Sequence, residues 1–536
     1  MPAAPALGQP PVPSTGTTTE ARLPASRTLL SSALAVVAAT ALGACGAAKK
    51  QSASSASRTL NIPFVADMSV PDPDVFYDTE GGEVTQSVYQ GLVRYAPGSA
   101  KIVPYLATSW TVSADKKTYT FKLRQGVKFH DGSAMTSADV KRSFARRQAI
   151  KQGSVYMVAG VASMDTPDPQ TFVVHLKTPE LPFMDYLASL WGPRVIGPDA
   201  LVAHAGSDHS QKWLGTHDDG TGPYTLAAFD RGRQYVLRAF PGYWGAKPWY
   251  TTVNVLITPD IGTQELRLRG GDLQMMLHAY PASDLAQARS NPDLNVALYP
   301  TGQTLIAYLN THKAPFDSLA ARQAVAKAID LKALVAQYGP TASLPAGPYP
   351  AGELAAQPAL GYGGGAPANA GKGAKVLIQY AADEVATLGR VSELLQVELG
   401  KVGFDVKIQQ IPHAQMYSYS QHPENGPDMV LLTNNPDANH PDTWAGINYG
   451  STGGTNLLSH VDKTIDSLLA KARSAPDETS ADATYRQVGQ RIISSSADLI
   501  LANVKDTIVF SKKVTGLSHV PNYPWMVDLA SLKPAA

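Results

Sequence analysis

The string VKFHDGSAMTSADV, residues 127–140, holds three side chains with the potential for chemistry. His130 and Asp131 are neighbours, and Asp139 follows eight residues after Asp131. Imidazole and carboxylate groups bind metal ions and transfer protons in metal-dependent hydrolases. One hypothesis is therefore a secreted metal-dependent hydrolase, and the competing hypothesis is that the string only shapes the fold.

The same string also has a local structural explanation. Asp131-Gly132 is a turn dipeptide that ends a strand containing Phe129. Thr136 and Asp139 have the spacing of a helix capping box, with Asp in place of the usual Glu or Gln. The Asp139 carboxylate also suits the positive end of the helix dipole. A strand, a turn and a helix start therefore account for every residue of the string.

Partners for a metal site are hard to find elsewhere in the sequence. The twelve histidines are scattered, without the His-Glu-x-x-His pattern, and the sequence has no Gly-x-Ser-x-Gly or Walker-type loop. His175 is expected to face solvent on a strand, and His440 is a lone histidine in a polar loop. We predict a protein that is not an enzyme and that holds neither a metal nor a cofactor.

Length and charge narrow the class of protein. A chain of 536 residues exceeds one ordinary core and suggests two or three domains. Its 45 basic and 44 acidic side chains give a formal net charge of +1. Since no basic block stands out, we expect no nucleic-acid partner.

The only cysteine, Cys45, follows an apolar segment. Arg22 and Arg27 precede residues 28–44, TLLSSALAVVAATALGA, which have the pattern of a signal-peptide h-region. The end of this run, Leu42-Gly-Ala-Cys45, resembles the lipobox of bacterial lipoproteins. We therefore predict a lipoprotein signal peptide with an extended n-region over residues 1–44 and lipidation of Cys45.

Residues 45–58 comprise Cys45 and a small, polar segment that we interpret as a flexible tether. No later stretch has 18 uncharged apolar residues, so we expect the rest to be soluble and to lie outside the cytoplasmic membrane. Acyl chains would hold it to the membrane by burying methylenes, each worth about 0.8 kcal/mol.

Periodicity predicts both strands and helices in the remaining chain. Alternation indicates strands over residues 118–123, 171–176 and 235–240. Helical spacing of apolar residues appears over 319–329, 390–402, 462–472 and 483–493. Because these elements alternate without a strict repeat, the sequence predicts an α/β protein with more than one sheet.

Residues 87–146 resemble the extracellular solute-binding proteins of the peptide/nickel family, the receptors of ABC importers. The matching elements are Tyr89-Gln-Gly-Leu-Val93, Pro104-Tyr-Leu-Ala107, Trp110, Tyr119-Thr-Phe-Lys-Leu-Arg124, Phe129-His-Asp-Gly132 and Ala138-Asp-Val140. Further matches are Thr221-Gly-Pro-Tyr224, Tyr243-Trp244, Pro315-Phe-Asp317, Arg322-Gln-Ala324, Ala328-Ile-Asp330, Asp462 and Leu468-Leu469. Phe240 and Gln274 depart from the family pattern without affecting the expected fold.

The resemblance implies a periplasmic-binding-protein fold with two hinged lobes. Residues 59–92, 196–300 and 505–536 would form a discontinuous lobe I. Residues 93–195 would form an additional domain on lobe I, and residues 301–504 would form lobe II. The string around His130 and Asp131 would then lie in the additional domain, away from the cleft between the lobes.

The resemblance also implies candidate binding residues. Asp437, in the segment LLTNNPDANHP of residues 431–441, aligns with the aspartate that pairs with the α-ammonium of the peptide in peptide-binding members. Asn434 replaces the family's usual tryptophan there. The other expected cleft residues are Asn435, Tyr77, Asp78, Thr79, Tyr308 and Asn310. Trp444 is expected to pack in the core rather than to stack on a sugar.

The favoured function is a lipid-anchored, monomeric receptor that captures a peptide or similar small solute and delivers it to membrane permease subunits with cytoplasmic ATPases. A nickel chelate or an oligosaccharide is an alternative solute. The secreted hydrolase, and a peptide sensor or envelope chaperone, are alternatives of other classes.

Overall fold

The computed structural model describes residues 58–278, 280–354 and 356–535, all of which belong to one compact unit, Ala56–Ala536. The predicted signal peptide, the lipidation site Cys45 and nearly all of the tether lie outside the described residues. No helix in the described part of the chain is both long enough and apolar enough to span a bilayer.

The strands alternate with helices along the chain, as the periodicity predicted. They are β1 (Thr59–Phe64), β2 (Val93–Tyr95), β3 (Ile102–Pro104), β4 (Ala107–Val112), β5 (Thr118–Leu123), β6 (Val161–Asp168), β7 (Thr171–Leu176), β8 (Tyr224–Asp230), β9 (Gln234–Ala239), β10 (Thr252–Ile257), β11 (Met275–Met276), β12 (Leu294–Leu309), β13 (Ala342–Ser343), β14 (Lys375–Ala381), β15 (Asp405–Ile411), β16 (Met429–Asn434), β17 (Asp498–Ser511), β18 (Val514–Thr515) and β19 (Lys533–Pro534).

The α-helices range from single turns to five turns. They are α1 (Gly82–Val88), α2 (Ser137–Ile150), α3 (Tyr156–Ala159), α4 (Phe183–Ala188), α5 (Gln211–Leu214), α6 (Ile261–Gly270), α7 (Leu285–Ser290), α8 (Leu319–Ala328), α9 (Leu331–Ala336), α10 (Val385–Lys401), α11 (His413–Ser418), α12 (Pro441–Tyr449), α13 (Lys463–Arg473) and α14 (Glu478–Ser495). Asp199–Ala203 forms a π-helix, and 3₁₀ turns occupy Ala282–Asp284, Gly339–Thr341, Ala382–Glu384, Tyr419–Gln421, Pro423–Asn425 and Leu529–Ser531.

Lobe I is built on the sheet with strand order β1-β10-β9-β8. Its first pair, β1 and β10, is parallel, with Leu60 opposite Val253, although these residues are far apart in the sequence. Leu60, Ile62 and Val255 are fully buried on this sheet. Burial of these β-branched and aliphatic side chains contributes roughly 25 cal/mol per Å² of apolar surface.

A separate antiparallel sheet, β4-β5-β7-β6, together with α2, α3 and α4, is named here the β4–β7 unit. The alternation seen in the sequence places Tyr119, Phe121 and Leu123 on its buried face. At the edge of this unit, His130 bonds through Nδ1 to Asp218 and through Nε2 to the carbonyl of Gly222 at 3.1 Å. The predicted structural role of the string therefore agrees with these contacts.

Lobe II is built on strands β14, β15 and β16 and on parts of the two long strands β12 and β17. The pairing of β12 with β17 is interrupted between Pro300 and Thr304. Leu305 of β12 and Leu499 of β17 pack in the lobe II core, whereas Ile508 of β17 packs in the lobe I core. The two strands therefore pass from one lobe to the other near this interruption.

The predicted lobe limits at residues 300 and 505 lie beside this interruption, and the full set of domain limits stays a prediction. Asp506 is fully buried there and accepts a hydrogen bond from the Nε2 of His519 at 2.8 Å and from the backbone N–H of Trp525 at 2.8 Å. The side chain of Gln303, on the other crossing strand, also donates to Asp506. These bonds link both crossing strands to the C-terminal segment.

Candidate functional site

Asp437 lies in the short loop between β16 and α12, and this loop is held rigidly. The hydroxyl of Thr443 donates to the carbonyl of Ala438 at 2.6 Å and accepts from its N–H at 3.2 Å. His440 caps α12, because its Nδ1 accepts a hydrogen bond from the N–H of Asp442 at 3.1 Å. The fixed loop points the Asp437 side chain away from lobe II.

The Asp437 carboxylate meets two tyrosines that belong to other parts of the molecule. The hydroxyl of Tyr77, in the loop after β1 of lobe I, donates to its Oδ2 at 2.6 Å. The hydroxyl of Tyr156, at the start of α3 in the β4–β7 unit, donates to the same oxygen at 2.5 Å. Asp437 is only 4% exposed. The site is therefore formed only when lobe II lies against the other two parts.

Burial controls the electrostatics of this contact. Burial raises the pKa of Asp437 to about 6, although the hydrogen bonds from Tyr156 and Tyr77 act in the opposite direction. Burial also raises the pKa of both tyrosines well above the usual value, so that each remains a neutral donor. None of the ion pairs among the described residues involves Asp437. Its carboxylate is therefore buried against neutral groups.

Further bonds join the loop of Asp437 to the β4–β7 unit and its neighbourhood. The Ser189 hydroxyl donates to the carbonyl oxygen of Asp437. The backbone N–H of Asn439 donates to the hydroxyl of Tyr95 at 2.9 Å. These bonds use backbone atoms on lobe II, so they orient the whole loop rather than one side chain.

The loop that carries Tyr77 is anchored by a buried ionic cluster. Arg146 of α2 donates to the carboxylates of Asp72 and Asp74, with distances from 2.5 to 2.8 Å. The Arg146 side chain is 4% exposed and both aspartate side chains are fully buried. Removing one partner of such a cluster leaves an uncompensated buried charge. The cluster therefore fixes the position of Tyr77 relative to the β4–β7 unit.

Asp78 and Thr79 follow Tyr77 but make different contacts. The Asp78 carboxylate accepts from the backbone N–H of Ser69, within lobe I, at 2.9 Å. Its carbonyl oxygen accepts from the indole N–H of Trp191 at 2.9 Å. Thr79 lines a small cavity with Glu80 and His278 instead of contacting Asp437. The structure thus brings Tyr77 to Asp437, whereas contact of Asp78 and Thr79 with a solute stays a prediction.

The candidates Tyr308, on β12, and Asn310, directly after it, both make their hydrogen bonds inside lobe II. Tyr308 is 1% exposed and donates from its hydroxyl to Asn448 at 2.7 Å. Asn310 is fully buried, and its amide donates to the carbonyls of Pro423 and Pro427 at 2.7 and 2.9 Å. These hydrogen bonds give both side chains a structural role. Their contact with a solute stays a prediction that this arrangement does not support.

Asn434 is the last residue of β16, and Asn435 follows it at the start of the loop that carries Asp437. The Asn434 amide donates to the Oδ1 of Asn448 at 2.7 Å, and its own Oδ1 accepts from the N–H of Asn435 at 2.9 Å. Both residues are partly exposed. Nearby, Trp444 is fully buried and donates to the carbonyl of Pro348 at 2.8 Å, which confirms the predicted packing role.

Tyr156, Ser189 and Tyr95 were missed by the sequence analysis. Tyr156 lies 281 positions before Asp437 in the sequence. No local sequence pattern distinguishes it from the other tyrosines. Its role depends on the packing of the β4–β7 unit against lobe II. Among the described residues, no group of three or more His, Cys, Asp or Glu side chains is arranged to hold a metal ion.

A cavity of about 360 Å³ lies elsewhere, between α1, the Tyr243-Trp244 segment and the C-terminal segment. Glu83, Tyr105 and Tyr523 are among its lining residues, whereas Asp437 is not. None of its lining residues comes from lobe II. A ligand there would contact one side of the molecule only and could not drive closure of the lobes. The Asp437 contact is therefore the better candidate for the solute site.

Comparison with known proteins gives the family. Residues 101–456 match the family described as bacterial extracellular solute-binding proteins, family 5 middle. The chain is 29% identical over 481 residues to a probable D,D-dipeptide-binding periplasmic protein of Escherichia coli K12, covering 86% of this chain and 92% of the relative. It is 30% identical over 444 residues to di/tripeptide-binding protein 2 of Pseudomonas aeruginosa, covering 76% and 81% of the two chains.

Solved structures show the same two-lobed fold. A dipeptide-binding protein from Pseudoalteromonas sp. SM9913 in complex with Met-Leu superposes with a TM-score of 0.80 at 21% identity, covering 89% of this chain and 100% of the other. NikZ from Campylobacter jejuni in complex with Ni(L-His) gives a TM-score of 0.77 at 19% identity, covering 88% and 97%. The family and its relatives are binding proteins, so the hydrolase hypothesis is wrong. The chain belongs to the bacterial extracellular solute-binding proteins of family 5, whose members bind a solute and do not transform it.

Proposed function

We propose that this protein is the receptor of an ABC importer that captures short peptides with a free amino terminus between its lobes. Asp437 would pair with the α-ammonium of the peptide. The observation that carries the proposal is the buried Asp437 carboxylate, which meets neutral hydroxyl groups from lobe I and the β4–β7 unit and takes part in no described ion pair.

The buried carboxylate of Asp437 favours a solute with a cationic group. A buried carboxylate loses its hydration, and neutral hydroxyl donors replace only part of it. An ammonium brings a full positive charge and up to three donors into a low-dielectric contact, where the attraction is much stronger than in water. Pairing with Asp437 would therefore favour solutes with a free amino terminus over uncharged ones.

The geometry also explains why such a solute would drive closure. A ligand shifts a conformational equilibrium only by its different affinity for the two states. Asp437 lies on lobe II, whereas Tyr77 lies on lobe I and Tyr156 on the β4–β7 unit. A solute group at this point would contact all three parts, and it would lose most of these contacts when the lobes separate.

The names of relatives support peptides over the alternative solutes. Two of the relatives are named for dipeptides or tripeptides. A nickel complex is favoured by no described side chain, since His440 is only 5% exposed and its Nδ1 is used as a helix cap. Stacking on a sugar is not favoured by Trp444, which is fully buried. Backbone groups of the peptide would pair with backbone groups of the loop that carries Tyr77, in the manner of strand addition.

The proposal extends to the setting in which the receptor works. Lipidation of Cys45 would hold the monomeric protein at the outer side of the cytoplasmic membrane. Residues 46–58 would let it reach the permease subunits, which are driven by cytoplasmic ATPases. The position of Cys45 at the end of an apolar run, after Leu42-Gly-Ala44, supports this part of the proposal.

The test compares Asp437→Ala with the wild-type protein on trialanine and on N-acetyltrialanine, by isothermal titration calorimetry. Losing one partner of a buried charge pair costs about 2–5 kcal/mol, so the variant is expected to bind trialanine at least about 30-fold more weakly. Binding of the acetylated peptide should change little, because it carries no ammonium.

Asp405→Ala is the matched control, because Asp405 is an exposed aspartate on β15 of the same lobe. It should bind trialanine as the wild type does. Equal losses for both peptides in Asp437→Ala, or no binding of either peptide by the wild type, would contradict the proposed pairing.

A further inference from the structure

The cavity of about 360 Å³ beside α1 is built from parts of the chain that are far apart in the sequence. Its walls include residues of α1, of β2, of the Tyr243-Trp244 segment and of the C-terminal segment between residues 518 and 531. Ligand pockets in proteins usually measure about 300–1,000 Å³, so this cavity suits a small molecule. Asp437, Tyr77 and Tyr156 do not line it.

Three aromatic side chains of the lining are held in place by hydrogen bonds. The amide group of Gln90 donates to the hydroxyl of Tyr243 at 3.2 Å, and its Oε1 accepts from the indole N–H of Trp244 at 2.9 Å. Tyr523 is 7% exposed and donates from its hydroxyl to the carbonyl of Ala188. Because the polar ends of these side chains are bonded within the protein, their rings contribute fixed apolar surface to the cavity. Such walls suit a large apolar or aromatic group.

Glu83 of α1 is a buried acid in the lining of this cavity. It is 3% exposed, and both of its carboxyl oxygens accept from a single donor, the backbone N–H of Val527, at 3.3 Å. Glu83 takes part in no ion pair with the described residues. Burial raises its pKa well above the usual value, and the negative charge of Asp528 acts in the same direction. One shared N–H leaves the carboxyl group with free acceptor positions, which an ammonium group can fill.

Arg94 of β2 brings a positive charge to the same cavity. Its guanidinium carbon lies 4.5 Å from the centroid of the Tyr105 ring, and its Nη1 lies 4.0 Å from the Asp528 carboxylate, which is too far for a hydrogen bond. Among the described residues the guanidinium group has no hydrogen-bond acceptor, and its Nε is buried. Stacking uses the face of a guanidinium group and leaves the N–H groups on its edge, which match the two oxygens of a carboxylate.

We propose that this cavity is a further binding site, which takes a single α-amino acid with a large apolar side chain. The carboxylate of the ligand would bond to Arg94, its ammonium group would bond to Glu83, and its side chain would pack against Trp244 and Tyr523. This site goes beyond the proposed function, because it is distinct from the contact at Asp437 and uses no residue of lobe II.

Charge balance favours a ligand that carries both an ammonium group and a carboxylate. Neither Glu83 nor Arg94 is joined to an oppositely charged residue by a hydrogen bond. An amine without a carboxylate would bring no partner for Arg94, and an acid without an ammonium group would bring none for Glu83. The third charged residue of the lining, Asp528, has 43% of its side chain exposed and stays in contact with water.

The size of the cavity favours one amino acid over a longer peptide, since its volume lies at the lower end of the range for ligand pockets. The test is isothermal titration calorimetry of L-phenylalanine with the purified protein, after bound solute has been removed by unfolding and refolding. L-Phenylalanine should bind the wild type, and Asp437→Ala should bind it with the same Kd, because Asp437 does not line the cavity.

Two analogues and two variants identify the contacts of the ligand. L-Phenylalaninamide lacks the carboxylate and N-acetyl-L-phenylalanine lacks the ammonium group, and each should bind at least about tenfold more weakly, because hydrogen bonds to a charged group are lost. Arg94→Gln should abolish the advantage of L-phenylalanine over L-phenylalaninamide. Glu83→Gln should abolish its advantage over N-acetyl-L-phenylalanine, and this variant keeps an oxygen for the N–H of Val527.

Arg289→Gln is the matched control, because Arg289 is an exposed arginine on α7 that does not line the cavity, and it should bind L-phenylalanine as the wild type does. The Arg94 side chain is 40% exposed, so Arg94→Gln should leave thermal unfolding unchanged, which excludes loss of folding as the cause of weaker binding.

Absence of L-phenylalanine binding to the wild type would overturn the proposal. Loss of binding in Asp437→Ala together with unchanged binding in Arg94→Gln would also overturn it, since the ligand would then lie at the Asp437 contact. The trialanine experiment tests that contact separately, so the failure of one proposal is distinguished from the failure of the other.

Discussion

At the scale of single residues, the described structure is characterised by acids that are buried without a cation. Asp437 meets two tyrosine hydroxyls, and Glu353 meets no hydrogen-bond partner in the protein. Burying a charge without a partner costs several kcal/mol, so such positions are expected where a ligand or a proton completes the site. The buried Asp72–Asp74–Arg146 cluster shows the contrast, since there the partners are supplied by the protein.

The pH dependence of peptide selection belongs to this scale. Because the pKa of Asp437 is raised to about 6, the carboxylate is ionised at pH 7 and largely protonated at pH 5. The preference for trialanine over N-acetyltrialanine, measured as a ratio of Kd values, should therefore fall about tenfold from pH 7 to pH 5. Any change in closure affects both peptides alike and cancels in the ratio. A constant ratio would contradict the assignment of Asp437.

At the scale of secondary structure, local patterns in the sequence predicted several strands, a helix and a helix cap that the structure contains. The alternation over residues 118–123 and 171–176 corresponds to β5 and β7, and the predicted helix at 390–402 overlaps the longer α10, which ends at Lys401. The capping box at α2 is present. The Asp139 carboxylate accepts from the backbone N–H of Thr136 at 2.9 Å and from its hydroxyl at 2.7 Å.

This cap gives a prediction about stability. Thr136→Ala removes the hydroxyl that bonds to Asp139, and loss of an N-cap side chain typically costs about 1 kcal/mol. Urea denaturation should show a decrease of this size in the free energy of unfolding. Lys141→Ala, at an exposed position of the same helix, should change it by less than about 0.5 kcal/mol. Equal effects of the two substitutions would contradict the role of the cap.

At the scale of the whole molecule, the crossing strands β12 and β17 connect the two lobes, and the proposed lipid anchor at Cys45 would decide where the protein works. On the two sides of the interruption between Pro300 and Thr304, the crossing strands pack in different hydrophobic cores. Asp506 fixes this region through Gln303 and His519. A few residues that absorb the change in backbone angles are sufficient for hinge motion between packed lobes.

The proposed attachment to the membrane can be tested independently of solute binding. Cys45→Ala removes the thiol that would carry the acyl chains, and a protein held only by lipid should then move from the membrane fraction to the soluble fraction after cell disruption. Ser54→Ala, within the tether, should leave the protein in the membrane fraction. Persistent membrane association of Cys45→Ala would indicate an uncleaved signal anchor instead.

The sequence by itself determined the elements and the family, because strands, helices, turns and caps follow from patterns within about ten neighbouring residues. Thus the turn at Asp131-Gly132 and the capping box at Thr136 could be identified from local strings, and the candidate Asp437 from the resemblance to the family. Only the tertiary structure showed that Tyr156, 281 positions from Asp437, bonds to it. It also showed that Tyr308 and Asn310 make their side-chain hydrogen bonds inside lobe II. Such contacts depend on how separate elements pack. The burial that raises the pKa of Asp437 is likewise a property of the packed molecule and not of the local sequence.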